Sequence, residues 1–315
     1  NLLSKLNVHQ FYGLEIEEFP ARIAEVALWL TDHQANVVLS QVFGQFYDRL
    51  PLRASPHIVV GNALRTDWRT VLPAEECSFV LGNPPFVGKH YQNAEQRADM
   101  AIVFRDFKNT GDMDYVVSWF YRAAEYIQGT QIRVGLVATN SITQGEQVPV
   151  VWGLLFGRYR VKIHFAHRTF AWESEARGKA HVHVVIIGFG AFDTGNKRIY
   201  DYDTDPEHPL VNEANNISPY LTPGSDSFVT KRTAPVADVP EMRCGNKPSD
   251  GGNLILTDAE KKELLAVEPA AAKFLKRFTG SEEFINGNMR WCLWLKDAKP
   301  AELRDLPKVM KRVEA

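Results

Sequence analysis

Residues 77–86 read CSFVLGNPPF. Cys77 to Leu81 is a short apolar run of the length expected for a buried strand. It stops at Gly82-Asn83-Pro84-Pro85, with Phe86 directly after. Neither proline has an N–H to donate, and Pro85 pushes Pro84 toward extended backbone. The result is a stiff segment with free carbonyls and an acceptor-bearing amide beside them. Such a segment can hold an amino group that offers two hydrogens. Asn83 Oδ1 takes one, the Pro84 carbonyl takes the other, and Phe86 lies flat against the planar system that carries the amine. The competing reading is a strand ending in a proline turn, with Phe86 in the core. The flanks decide between them.

Working outward, apolar strand patterns alternate with helical ones over residues 11–190. Phe11 to Ile16 reads as a strand. Pro20 is placed to open a helix through Ile23, Val26, Ala27 and Leu30. Ile58 to Val60 and the run before Asn83 are further strands. DYVVSWFYRAAEYIQG is a helix closing at Gly129, IRVGLVATNS is a strand, and Val182 to Phe189 is the last one. This alternation predicts an open α/β sheet, mostly parallel, with helices on both faces. Such sheets bind ligands at the carboxyl ends of their strands, and those ends carry Glu15, Asn62, Asn83 and Asn140. Asn is also a common turn residue, and for Asn140 that reading stays open.

Beyond residue 205 the texture changes. DYDTDPEHPLVNEANNISPYLTPGSDS is rich in Pro, Asn, Asp and Ser and reads as a linker or long surface loop. The expected domains are therefore 1–205 and 206–315. In the second, Thr257 and Glu260 form a capping box, Pro269 to Phe278 reads as a short helix stopped by Gly280, and Arg290 to Leu295 reads as a strand. A charged helical stretch follows.

The 315-residue chain has a net charge of −2, which argues against a wholly basic nucleic-acid binder but not against a local basic face. Between Arg158 and Arg198 there are eight Lys/Arg against three acids, a local excess of +5. No apolar run approaches the roughly 20 residues of a membrane span, and the first residues lack a signal-peptide pattern. Three distant cysteines, Cys77, Cys244 and Cys292, suit a reducing cytoplasm and make no zinc site. His181 and His183 alternate on one strand but have no further ligand at metal spacing, so no metal is expected.

The order YGLEIEE, VVGNAL, LGNPPF, VATNSI, GKAHVHVVIIGF resembles the S-adenosylmethionine-dependent DNA amino-methyltransferases. More closely it resembles the gamma-class adenine-N6 enzymes and the methyltransferase region of MmeI-like (Type IIL) restriction–modification proteins. The resemblance covers roughly residues 8–200 and, more weakly, the C-terminal third. It implies a class I, Rossmann-like methyltransferase fold with an antiparallel last strand, followed by the start of an α+β target-recognition domain. It implies S-adenosylmethionine as cofactor and double-stranded DNA as partner, in the cytoplasm, with a nuclease attached in the full-length protein as a further expectation. It places Glu15 on the ribose hydroxyls, Ile16 on the cofactor's adenine, and Asn62 with Ala63 at the adenine amine, where the family usually has Asp. The catalytic residues become Asn83, Pro84 and Phe86. A target base must be flipped out of the duplex to reach them, and the resemblance makes Phe170 its second stacking face, with Trp172 as the competing candidate. Arg168, Arg177 and Lys179 become DNA contacts.

The Gly-rich loop of such folds is expected about 20–25 residues before the acidic strand end. Only fourteen residues precede Glu15. The expectation is thus a domain lacking its first strand and Gly-rich loop, binding the cofactor weakly or not at all. Two alternatives remain: a protein-glutamine or RNA amino-methyltransferase, where an amide NH₂ poses the same problem, and a non-catalytic DNA-binding fragment.

Overall fold

In the computed structural model, which describes residues 6–44, 55–107, 111, 113–172, 182–230, 232, 236–239 and 250–314, β1 (Tyr12–Glu15) runs parallel to β2 (His57–Val60). Between them lies α1 (Glu18–Phe43), which ends at Gly44 with φ 62°. Pro20 falls in its first turn, where backbone N–H groups have no helical partner and a proline costs nothing. The stripe Ile23, Val26 and Leu30 is exposed, while Ala21 and Asn36 are buried.

The chain then passes through a short helix α2 (Trp68–Val71) to β3 (Phe79–Gly82), α3 (Ala94–Val103), α4 (Val117–Tyr126), β4 (Arg133–Thr139) and α5 (Gln147–Gly157). Next come β5 (Lys162–Trp172), β6 (Val182–Gly190), β7 (Lys197–Asp201) and β8 (Leu210–Ala214). Six of these strands form one mixed sheet in the order β3-β4-β6-β5-β7-β8. β3 is parallel to β4, and β6 is antiparallel to both β4 and β5, so the expected antiparallel last strand is present.

α4 and α5 cover one face. Phe120 stacks on Phe189 with ring centroids 5.7 Å apart, and Trp152 is fully buried. On the other face the Phe165 ring crosses Gly188 so closely that a Cβ there would lie 2.0 Å from it; only glycine fits. The segment after β2 joins this body through α4. Arg122 donates to the Leu64 carbonyl (2.7 Å), and the Tyr126 hydroxyl donates to that of Leu72 (2.8 Å).

Two sequence readings change here. The α4 helix ends at Tyr126, and Gly129 adopts its left-handed φ of 76° two residues past the cap. The stretch after residue 205 is not a free linker: β8 belongs to the main sheet, and Ile217 and Leu221 are buried in its core. Fully buried Lys197 donates to Asn216 Oδ1 (3.0 Å) and pairs with Asp193 (2.7 Å). Asn216 in turn donates to Asp226 (2.6 Å), which pairs with Lys162 (2.5 Å). Polar residues at 206–230 thus satisfy a buried cation, and they read as loop because that cation is invisible in the local sequence.

The chain divides into compact units between Arg232 and Thr233. Within the second, β9 (Ile255–Thr257) leads into α6 (Asp258–Val267). Thr257 Oγ1 accepts from the Glu260 N–H (3.2 Å), and Glu260 Oε2 accepts from the Thr257 N–H (2.8 Å), the expected capping box. Pro269–Phe274 is a 3₁₀ turn, and the residues expected to continue it as a helix form β10 (Leu275–Phe278). They do so because β11 (Arg290–Leu293), after α7 (Ser281–Asn286), offers an antiparallel partner. α8 (Pro300–Arg304) and α9 (Pro307–Val313) close the unit. Leu256, Leu264, Phe274, Leu293 and Val309 form its core. Among the described residues no helix is long and apolar enough to cross a membrane, and no three His, Cys, Asp or Glu side chains gather as a metal site.

Candidate active site

The parallel pairs β1/β2 and β3/β4 fix where strand ends meet. Glu15 lies opposite Val60, and its carbonyl accepts from Gly61 N–H (2.8 Å). Glu15 and Ile16 therefore adjoin Asn62 and Ala63. Glu15 Oε1 accepts from the Ile16 N–H (2.9 Å), which leaves Oε2 for a diol. Ile16 is 62% exposed. Asn62 Oδ1 accepts from the Leu64 N–H (2.8 Å), and its amide donates to Asp99 (3.0 Å). The Ala63 carbonyl accepts from the Trp68 indole (2.8 Å).

Asp99, on α3, is a residue the sequence reading missed. It is buried and also accepts from Arg65 (2.6 Å) and the Tyr115 hydroxyl (2.6 Å). Burial alone would raise its carboxyl, but hydrogen bonds from Tyr115, Asn62 and Arg65 outweigh that and hold it below the usual range. Its partners lie 16–37 residues away, so no spacing signal marks it.

Asn83 leaves β3 exposed, and its side-chain amide makes no hydrogen bond to the described residues. Pro84 is buried, and Phe86 is half-buried against the main core. Thr139 at the end of β4 faces Val184 on β6, and Val184 faces Phe170 on β5. Phe170 therefore lies at the same end of the sheet as Asn83, about 14 Å away across three strand spacings. A bulge between His167 and Phe170 re-aims it. Its ring lies 4.9 Å from Tyr202 and 6.2 Å from Trp172, which is 38% exposed. His167 stacks on Tyr200 at 4.3 Å and bonds Tyr202, and burial pushes its imidazole down.

The basic stretch is less open than its +5 excess suggested. Arg168 pairs with Asp201, Lys162 with Asp226 and Lys197 with Asp193, while Arg158 lies over the Phe107 ring. Arg177, Lys179 and His181 lie outside the described residues.

Comparison with known proteins identifies the family. Residues 1–201 match the family model for the MmeI DNA-methyltransferase domain, and residues 223–315 match that for the MmeI target recognition domain. The chain belongs to the MmeI family. Its mixed α/β sheet is the class I methyltransferase fold, and the unit from Thr233 lies within the target-recognition match. A family relative, DNA methyltransferase A of Bacillus subtilis (strain 168), is 41% identical over 98% of the chain. The solved structure of the Type IIL restriction–modification enzyme MmeI in complex with DNA is 51% identical over 99% of the chain, with a TM-score of 0.83. The chain spans 35% of the first of these proteins and 42% of the second.

Proposed function

We propose that the chain carries the methyl-transfer site of an adenine-N6 DNA methyltransferase in a restriction–modification system, with the unit up to Arg232 serving transfer and the unit from Thr233 serving sequence choice. The observation that carries this reading is Asn83. Its amide is exposed and unengaged at a strand end, followed by two prolines that cannot donate, with aromatic rings at the same end of the sheet.

An adenine N6 lone pair is delocalised into its ring and is a poor nucleophile. Asn83 Oδ1 and the Pro84 carbonyl accept its two hydrogens and favour a pyramidal nitrogen. That form arises only as the methyl moves, so the contacts are stronger in the transition state than in the ground state. Phe86 and Phe170 hold the extrahelical base. Glu15, Ile16, Asn62 and Ala63 suit S-adenosylmethionine: a carboxylate oxygen for the ribose hydroxyls, an exposed aliphatic face for the adenine, and an amide oxygen with a second lone pair for its amine. When bound, that cofactor supplies an electrophilic methyl group, so no strong general base is required. Arg168, Arg177 and Lys179 are proposed to meet DNA phosphates; for Arg168 the ion pair with Asp201 must first open or be shared. The complex of MmeI with DNA and the name of the Bacillus relative support DNA as substrate.

The test is labelled methyl transfer by the natural full-length polypeptide to duplexes containing adenine or N6-methyladenine at the target. Asn83→Ala should lower turnover by about 10²-fold or more, the scale for losing a transition-state acceptor, with DNA affinity nearly unchanged. A variant keeping a tenth of wild-type turnover, or transfer to protein or to cytosine instead, would sink the assignment.

A further inference from the structure

A buried dipeptide outside the residues assigned above touches two strand-end loops and reaches a third through Asp99. Asp114 and Tyr115 lie in the turn that opens α4 and are 8% and 5% exposed, between Met113 and Val116, which are wholly buried. Asp114 Oδ1 accepts from the Lys89 N–H (3.0 Å), and Oδ2 accepts from the Ser141 hydroxyl (2.5 Å). The Tyr115 N–H donates to the Val87 carbonyl (2.9 Å). The backbone just after Phe86 is thus gripped at two points and tied to the turn that follows β4. The Asp114 N–H donates to Gln147 on α5 (3.2 Å), so the grip is anchored from behind. Through its hydroxyl Tyr115 reaches Asp99 and, through Asp99, Asn62 and Arg65. Burial and the Asp99 carboxylate push the Tyr115 hydroxyl well above its ordinary range, so it stays a donor at every physiological pH.

We propose that Asp114 and Tyr115 are positioning residues: Asp114 sets the Asn83–Phe86 turn against the end of β4, and Tyr115 sets Asn62 through Asp99. The turn after β3 and the loop after β2 then share one register. This rests on the methyl-transfer reading above. The prolines stiffen residues 84–85, but β3 holds only the near end of that turn. Asp114 and Tyr115 hold the far end, and an error of about 1 Å at reacting atoms can cost on the order of 10² in rate.

The experiment uses the natural full-length polypeptide and measures kcat, Kd for DNA, Kd for S-adenosylmethionine by calorimetry, and Tm. Asp114→Ala should lower kcat about 30- to 100-fold, with Asp114→Asn and Ser141→Ala intermediate at about 3- to 10-fold, on the misplacement scale. DNA affinity should stay within about twofold, a rim-scale change well under 1.4 kcal/mol. Tyr115→Phe should leave kcat nearly intact and weaken cofactor binding about 3- to 10-fold, the worth of one hydrogen bond. Ser118→Ala removes a buried contact from α4 to Met100 on α3 and serves as control: Tm falls and kcat holds.

If Asp114→Ala does not fold, Asp114→Asn and Ser141→Ala decide. Wild-type kcat in these variants, with Asn83→Ala inactive, overturns the positioning role. So does a kcat loss in Ser118→Ala matching that of the clasp variants. Retained turnover in Asn83→Ala removes the methyl-transfer reading, and the proposal with it.

Discussion

Phe86 and Phe170 are assigned one task from unlike settings. Phe86 packs on the main core, whereas Phe170 sits in a half-open cluster with Tyr202 and Trp172. Each ring removed should lower kcat/KM by roughly 1–3 kcal/mol, the scale of base stacking. The loss should shrink when the target adenine faces a mismatch, since unpairing then costs less. The settings separate the two variants: Phe86→Ala should lower Tm as well, and Phe170→Ala should leave it nearly fixed. Kinetics on matched and mismatched duplexes together with melting curves check this. A Phe170→Ala variant that only melted earlier would pass the stacking role to Trp172. At this scale the sequence was legible wherever a residue's chemistry is local. Asn83 stands out because the two residues after it are prolines, which cannot donate. Asp99 and Asp114 did not, because the groups that define them come from residues 16–37 positions away, and a lone Asp in a helical pattern reads as solvated surface.

Elements were recovered where periodicity was strong and lost where pairing decided. β4 and β6 were plain apolar runs. β5, the longest strand, passed unnoticed because His164, His167, Arg168 and Thr169 interrupt its alternation and a bulge breaks its register. β10 is a strand only because β11 lies beside it. The capping box of α6 was readable in full, since its partners are three residues apart. It also carries a pH signature. Hydrogen bonds from the Thr257 backbone and from Arg312 pull the Glu260 carboxyl down to about 2 from an ordinary 4.5. A carboxyl lowered in the folded state contributes stability that is complete above pH 4.5 and is lost as pH falls toward 2. Glu260→Gln should therefore unfold at lower urea than wild type at pH 6.5, and the difference should narrow steadily from pH 4.5 downward. A gap of constant size across that range would show that Glu260 acts through packing rather than charge.

At the scale of the molecule, the alternation of strands and helices announced the class I fold, but a charge count along the chain leaves out acids that arrive from beyond the counted stretch. Counted along the chain, the cations of 158–198 outnumber acids; in space, Asp193 of the same stretch pairs with Lys197, and Asp201 and Asp226 from beyond it meet Arg168 and Lys162. The unit from Thr233 has its own core and matches a target recognition domain. Replacing it by that of a relative should change the methylated sequence while preserving turnover; methylome sequencing of cells expressing the chimaera reads this out, and an unmoved site with full activity would refute it.

Where such a graft may be joined follows from Lys197. The composition break near 205 looks like a natural seam, yet a crossover there would import a foreign β8 and a foreign residue at 216. An ammonium with no solvent exposure would keep only the exposed Asp193 as partner, and stripping a buried charge of a partner costs on the order of 3–5 kcal/mol. Recombination between relatives should therefore leave viable hybrids with breakpoints after Arg232, and few between β7 and Asp226, unless Asn216 and Asp226 travel with Lys197.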